Sequence, residues 1–211
     1  MKYRHNPPFI LKKLFSDFYW NTSNDKLLLT IDDGPNPETT EIILKKLADE
    51  KMKALFFCVG ENIQKYPELV RFILNEKHTI GNHTLNHKIL TKISNPEKDS
   101  QIELVNFIMK ESFDYKVKYF RPPHGQFQLS TSGLMRKHNL KNVMWSLLTY
   151  DYKNDLAFVK FATQKYLNKD SIIVLHDSNK SKNIIVDSIS LISDEAGKRN
   201  YQFGDPEECL S

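Results

Sequence analysis

The sequence predicts a single α/β domain in which parallel strands alternate with crossover helices, and three observations carry that prediction. β-type apolar runs recur along the chain with helix-patterned stretches between them. A length of 211 residues suits one well-buried domain and is short for two. The residues that could do chemistry fall at or just after the C-terminal ends of the apolar runs, where an α/β barrel gathers its site.

In chain order, residues 1–25 read as an N-terminal extension that packs on the domain spanning 26–211. The extension's longest apolar run, Phe9-Ile10-Leu11, is cut by Lys12-Lys13. That is too short for a secretion signal core or a membrane span, so a cytoplasmic protein is expected. Strands are then predicted at 27–31, 54–59, 79–81, 118–120, 141–146, 171–175 and 201–203. Helices are predicted at 39–50, 67–76, 96–113, 130–138, 156–167 and 183–196. Pro67 and Pro96 suit first helical turns, and Asn95 reads as the cap before Pro96. Within that helix Ile102, Val105, Phe107, Ile108 and Met109 trace an apolar face, a core feature. This alternation calls for parallel strands joined by helices.

Asp32 and Asp33 follow the apolar run 27–31, so both carboxylates emerge where strand gives way to loop. Adjacent residues leaving a strand point apart, so one can bind a metal while the other faces substrate. A helical turn would set His83 and His87 on one face with Cβ atoms about 5–6 Å apart, within reach of a single ion. An Asp/His/His set leaves coordination positions open for water and substrate, as catalytic zinc-type sites require. The same residues have plainer uses. Asp-Asp-Gly-Pro makes a good turn, with Gly34 free to adopt positive φ, and His-x-x-x-His recurs on ordinary helix surfaces.

Together the motifs resemble those of the polysaccharide deacetylases, also called the NodB homology domain or carbohydrate esterase family four. Thr30-Ile31-Asp32-Asp33-Gly34 is similar to their Thr-Phe-Asp-Asp-Gly motif, and His83-Thr84-Leu85-Asn86-His87 to their His-Ser/Thr-x-x-His motif. Phe120-Arg121-Pro122-Pro123-His124-Gly125 matches an Arg-Pro-Pro-Tyr segment, with His124 where tyrosine is usual. Asp151-Tyr152, downstream of Trp145, stands for an Asp-Trp motif, and Leu175-His176-Asp177 for the last one. The resemblance runs from about Lys26 to Phe203. It implies a distorted (β/α) barrel of about seven parallel strands, and the number of apolar runs agrees.

The resemblance also implies residue assignments for a metal-dependent hydrolase that removes N-linked acetyl groups from an N-acetylated sugar or amino-glycan. Asp33, His83 and His87 are the expected ligands of one divalent metal, with Zn2+ foremost and Co2+ or another divalent transition metal as alternatives. Asp32 is the general base and His176 the general acid. Arg121 pairs with Asp32 and favours its ionised form, and Asp151 orients His176 and raises its pKa. Pro122, His124, Trp145, Tyr152 and Leu175 are the expected substrate contacts, Leu175 and Trp145 as an apolar wall. At His124 two readings stand: a tolerated loop substitution, or an added donor beside the oxyanion. His5, His78 and His138 read as surface or structural.

Composition excludes several other classes. The net charge of +4 arises from thirty basic against twenty-six acidic residues, with lysines interspersed among acids along predicted helices. That is a solvated surface; Lys180 with Lys182 is too sparse for a nucleic-acid footprint. Cys58 and Cys209 make no disulfide framework, and Cys58 reads as a buried core residue. The remaining alternatives are a deacylase of another non-peptide amide, such as an acetylpolyamine, and a catalytically idle glycan-binding protein. The intact Asp32, Asp33, His83, His87 and His176 argue against idleness.

Overall fold

The structure, a computed structural model, describes residues 4–211. Seven strands form one sheet: β1 Leu28–Asp32, β2 Ala54–Cys58, β3 Thr79–Asn82, β4 Tyr119–Phe120, β5 Lys141–Asn142, β6 Leu147–Leu148 and β7 Ile172–His176. Their order is β5-β4-β3-β2-β1-β7-β6, and every pairing is parallel. Parallel neighbours require crossovers. These are supplied by α2 Thr40–Asp49, α3 Gly60–Lys65 with α4 Pro67–Asn75, α5 Asn95–Phe113, α6 Thr131–Lys137 and α7 Leu156–Tyr166. Helix α1 Phe9–Leu14 precedes the sheet, and α8 Ile185–Lys198 and α9 Pro206–Cys209 follow it.

The strand expected over 141–146 is two strands at opposite edges of the sheet. Val143 N–H still donates to Phe120 O at 2.9 Å beside β4, whereas Ser146 N–H donates to Ile172 O at 3.1 Å beside β7. Residues 143–146 therefore carry the chain from one edge to the other and curl the sheet into a half-barrel. The stretch 201–203, expected as the seventh strand, makes one isolated bridge, Leu27 to Phe203.

Strand alternation divides the apolar side chains into two layers. Leu29, Ile31, Phe56, Ile173 and Leu175 face outward and pack with Ile43, Ile63, Val105 and Ile189 of the helices. Leu28, Leu55, Phe57, Tyr119 and Ile172 face inward and close the barrel interior with Val143, Cys209 and Leu210. Burial on both sides explains why these strands read as continuous apolar runs. The period of two continues upward, so Thr30 and Asp32 point inward above Leu28, and Val174 and His176 inward above Ile172.

Phe15, Phe18 and Trp20 are buried against Met144, and Tyr19 bridges Val143. Cys58 and Cys209 are both buried and free. Helix α5 is capped one residue earlier than the sequence suggests: Ser94 Oγ accepts from Glu97 N–H, and Asn95 is already helical. Among the described residues no helix is long and apolar enough to cross a membrane.

Candidate active site

Arg121 is the post on which the inner site is built. It follows β4, is fully buried, and places its guanidinium 4.3 Å from the Phe57 ring centroid. A buried guanidinium requires acceptors for its donors. It donates to Val143 O at 2.8 Å, Met144 O at 2.7 Å, Thr30 Oγ1 at 2.7 Å and Asp32 Oδ1 at 2.7 Å. Burial lowers the guanidinium pKa, and the Asp32 carboxylate opposes that shift. Asp32, at the end of β1, is thereby held in one orientation.

Asp33 leaves the strand with φ 78, so the positive φ expected of Gly34 belongs to the aspartate itself. Gly34 is required for a different reason. A Cβ there would lie 2.3 Å from Asp177 Oδ2, so only glycine lets the turn close on that carboxylate. Asp177 also accepts from the Thr39 hydroxyl and, at 2.6 Å, from Thr40 Oγ1. Burial pushes its pKa up to about 6. This brace ties the Asp33 turn to the start of α2, and the motif comparison assigned Asp177 no task.

His83 and His87 lie on a loop, not the helical turn considered from sequence. Thr84 at φ 67 and His87 at φ 58 occupy the left-handed region, which no right-handed helix tolerates. The loop is fixed from outside: Gly60 and Glu61 N–H, opening α3, donate to the carbonyls of Thr84 and Leu85 at 3.0 and 2.8 Å. Asn82 Oδ1 accepts from Thr84 N–H at 2.8 Å. The result still brings the two imidazole centroids to 4.9 Å.

Asp33, His83 and His87 offer ligand atoms that all lie within 4.8 Å of one another. Asp33 Oδ1 is 3.7 Å from His83 Nε2 and 3.2 Å from His87 Nε2. Ligand bonds of about 2.0–2.2 Å in tetrahedral geometry separate neighbouring donors by roughly 3.3–3.6 Å, so the set fits one small divalent ion. His83 Nδ1 lies 2.7 Å from Arg121 O, which can only accept. The ring proton is therefore on Nδ1, leaving the Nε2 lone pair toward Asp33. Burial pushes the His83 pKa down to about 4, so the neutral form is the stable one near neutrality. Burial would raise the Asp33 pKa. The hydrogen bond from His87 and the nearby histidines outweigh it and hold the carboxyl well below the usual carboxylate range.

His176 ends β7 in register with Asp32. Its Nδ1 is 2.7 Å from Asp151 Oδ1, and its backbone N–H donates to Asp151 Oδ2 at 2.7 Å. Burial opposes the imidazolium, but Asp151, with smaller help from Asp33 and Asp32, raises the pKa to about 9. Tyr152 meets the ring edge-on at 4.9 Å.

These groups share a cleft of about 360 Å³, within the size range of small-molecule sites. Its walls include Trp145, Tyr152 and His124, three of the candidate substrate contacts, together with Gly125, Leu148, Val174 and Lys180, which had no place in the site as read from sequence. Gly125, at φ 62, lies where a Cβ would meet the Trp145 ring at 2.1 Å. Leu175 and Pro122 do not line the cleft. Leu175 is on the outward face of β7 in the helix layer, and the residue with the inward position is Val174, two before His176. Pro122 is buried, and its carbonyl accepts from Gly125 N–H at 3.0 Å. His5, His78 and His138 bond to Leu148 O, Ala54 N–H and Asp99 respectively, and none of the three lines this cleft.

The family model for polysaccharide deacetylase matches residues 20–143. The chain is 40% identical over 128 residues to a peptidoglycan-N-acetylglucosamine deacetylase of Bacillus cereus, covering 61% of this chain and 46% of that protein. It is 39% identical over 132 residues to chitin deacetylase 1 of Saccharomyces cerevisiae, covering 63% and 42%. The chain thus spans less than half the length of these two relatives. A crystal structure of a peptidoglycan N-acetylglucosamine deacetylase superimposes with a TM-score of 0.89 at 28% identity, over 97% of both chains.

Proposed function

Because the chain belongs to the polysaccharide deacetylase family, we propose that it is a metal-dependent hydrolase that removes N-linked acetyl groups from an N-acetylated glycan. The observation that carries this reading is the pairing, in one cleft, of a three-donor cation site with a histidine held as an acid. The named activities of the relatives on peptidoglycan and chitin support it.

Asp33, His83 and His87 would hold the ion. A bound divalent transition metal supplies a lowered water pKa and a polarised acetyl carbonyl. Asp32, oriented by Arg121, takes the proton from the attacking water. The backbone N–H of His124 is our assigned donor to the developing oxyanion. The water oxygen bonds to the acetyl carbon, the C–N bond breaks, and His176 gives its Nε2 proton to the departing amine. Acetate and the free amino sugar result. Asp151 keeps the His176 proton on hand near neutral pH, and Trp145, Leu148 and Val174 form the apolar wall beside the acetyl methyl group.

Acetate release from peptidoglycan fragments, chitooligosaccharides and acetylpolyamines, measured side by side, tests the reading. Release from a glycan and not from the polyamine supports it. Release from the polyamine alone moves the function to another amide, and release from none leaves the idle glycan-binding alternative.

A further inference from the structure

Among the described residues, Lys180 is a cation of the cleft wall that no other group engages. It lines the same cavity as Asp33, His124 and His176, and its side chain is exposed. Its neighbours are engaged: Asn179 bonds Asn36 at 2.8 Å and Lys182 pairs with Glu38 at 2.6 Å. Lys180 has no hydrogen-bond or ion-pair partner among the described residues. The other cations nearby are spoken for, Arg121 by Asp32 and two carbonyls, and His176 by Asp151.

The backbone that carries Lys180 is tied to the strand that ends in His176. Ser181 is fully buried, and its hydroxyl donates to His176 O at 2.5 Å and to Ser178 O at 3.0 Å. Ser181 N–H closes the turn onto Ser178 O at 3.1 Å. The turn that carries Lys180 is therefore pinned to the end of β7.

We propose that Lys180 binds an anionic group of the substrate, so that the cleft selects a carboxylate-bearing glycan of the peptidoglycan kind over a neutral chitin-like one. This inference rests on the glycan deacetylase reading and narrows it to one substrate class. A lysine in water gains little from an isolated ion pair, but a charge-assisted hydrogen bond at a cleft wall gains more. A preference of about three- to tenfold is expected, weakening as salt screens it.

The test uses two glycans that differ in one group: a carboxylate-bearing N-acetylated oligosaccharide and its methyl ester. In the parent protein, kcat/KM for the acid should exceed that for the ester by about three- to tenfold, with the difference in KM. Lys180→Gln should bring the ratio toward one, and Lys180→Arg should keep most of it. The ratio of Kd values for the same pair, measured by calorimetry in an Asp32→Asn or a His176→Ala background, reads the contact without turnover. An acid-to-ester ratio near one in the parent, or a ratio unmoved by Lys180→Gln, overturns the inference while leaving the deacetylase reading intact. If the parent hydrolyses neither glycan, that reading fails, and the Kd ratio alone decides the assignment of Lys180.

Discussion

The carboxylate of Asp151 holds His176 twice, Oδ1 at 2.7 Å from Nδ1 and Oδ2 accepting from the backbone N–H at 2.7 Å. Asp151 is itself fully buried, and Thr149 Oγ1 donates to it at 3.1 Å. The pair fixes both the orientation of the ring and its charge. With the His176 pKa raised to about 9, the imidazolium form persists through neutral pH.

A pH profile follows from that shift. Turnover that needs protonated His176 should fall as pH rises through about 9. In Asp151→Asn the counter-charge is gone while burial remains, so the alkaline limb should move to or below the ordinary imidazole value near 6.5. The same linkage acts on stability. A pKa raised on folding stabilises fully below the unfolded value and loses that contribution as pH climbs through the folded one. The parent should therefore lose more unfolding free energy than Asp151→Asn between about pH 6.5 and 9. Superimposable kcat profiles for the two proteins would refute the proposed positioning.

Ligands and acid–base groups separate by what they retain. Asp32→Asn and His176→Ala should keep their metal and lose about 10²–10⁴-fold in turnover. Asp33→Ala and His83→Ala should lose the metal itself, read by elemental analysis of protein purified without chelator. Full metal content in the second pair, or near-normal turnover in the first, contradicts the assignments.

Much of the fold was legible because long apolar runs and helical periodicity are local signals. The two-residue strands β5 and β6 were not, since their pairing is decided by which neighbour lies alongside at the sheet edges. Helix α3, with the polar sequence Gly-Glu-Asn-Ile-Gln-Lys, carries almost no apolar periodicity, yet its first N–H groups hold the His83 loop. At the site, Asp32, Asp33, His83, His87, Arg121, Asp151 and His176 were legible as candidates because residue identity at motif spacing singles them out, and the structure brings them together. The misassigned wall residue has a plain cause: strand alternation from His176 points to Val174, and Leu175 falls on the other face. Asp177 stands inside the last motif without a task and Lys180 stands outside every motif, because what each of them does depends on contacts between strand ends far apart in sequence.

Arg121 should be a stability determinant as well as a positioning residue. Arg121→Leu leaves the Asp32 carboxylate buried without its partner and frees two buried carbonyls, a loss of about 3–5 kcal/mol. Urea unfolding would show a lower midpoint with little change in slope. A difference under about 1 kcal/mol would mean that Asp32 is solvated or repaired by another group.

His124 offers its backbone donor in any non-proline variant. His124→Tyr and His124→Ala should keep turnover within about tenfold of the parent, roughly 1.4 kcal/mol in barrier. A loss of about 10²-fold in both, with metal content and folding intact, would assign the imidazole itself to the transition state.

The most direct measurement is acetate release from an N-acetylated glycan before chelation, after it, and on titration back with Zn2+. The account predicts that release stops when the metal is removed and returns with one equivalent of metal per chain, and that Asp33→Ala is not rescued at the same stoichiometry. Release that continues unchanged in metal-free protein, or returns equally in Asp33→Ala, would contradict it.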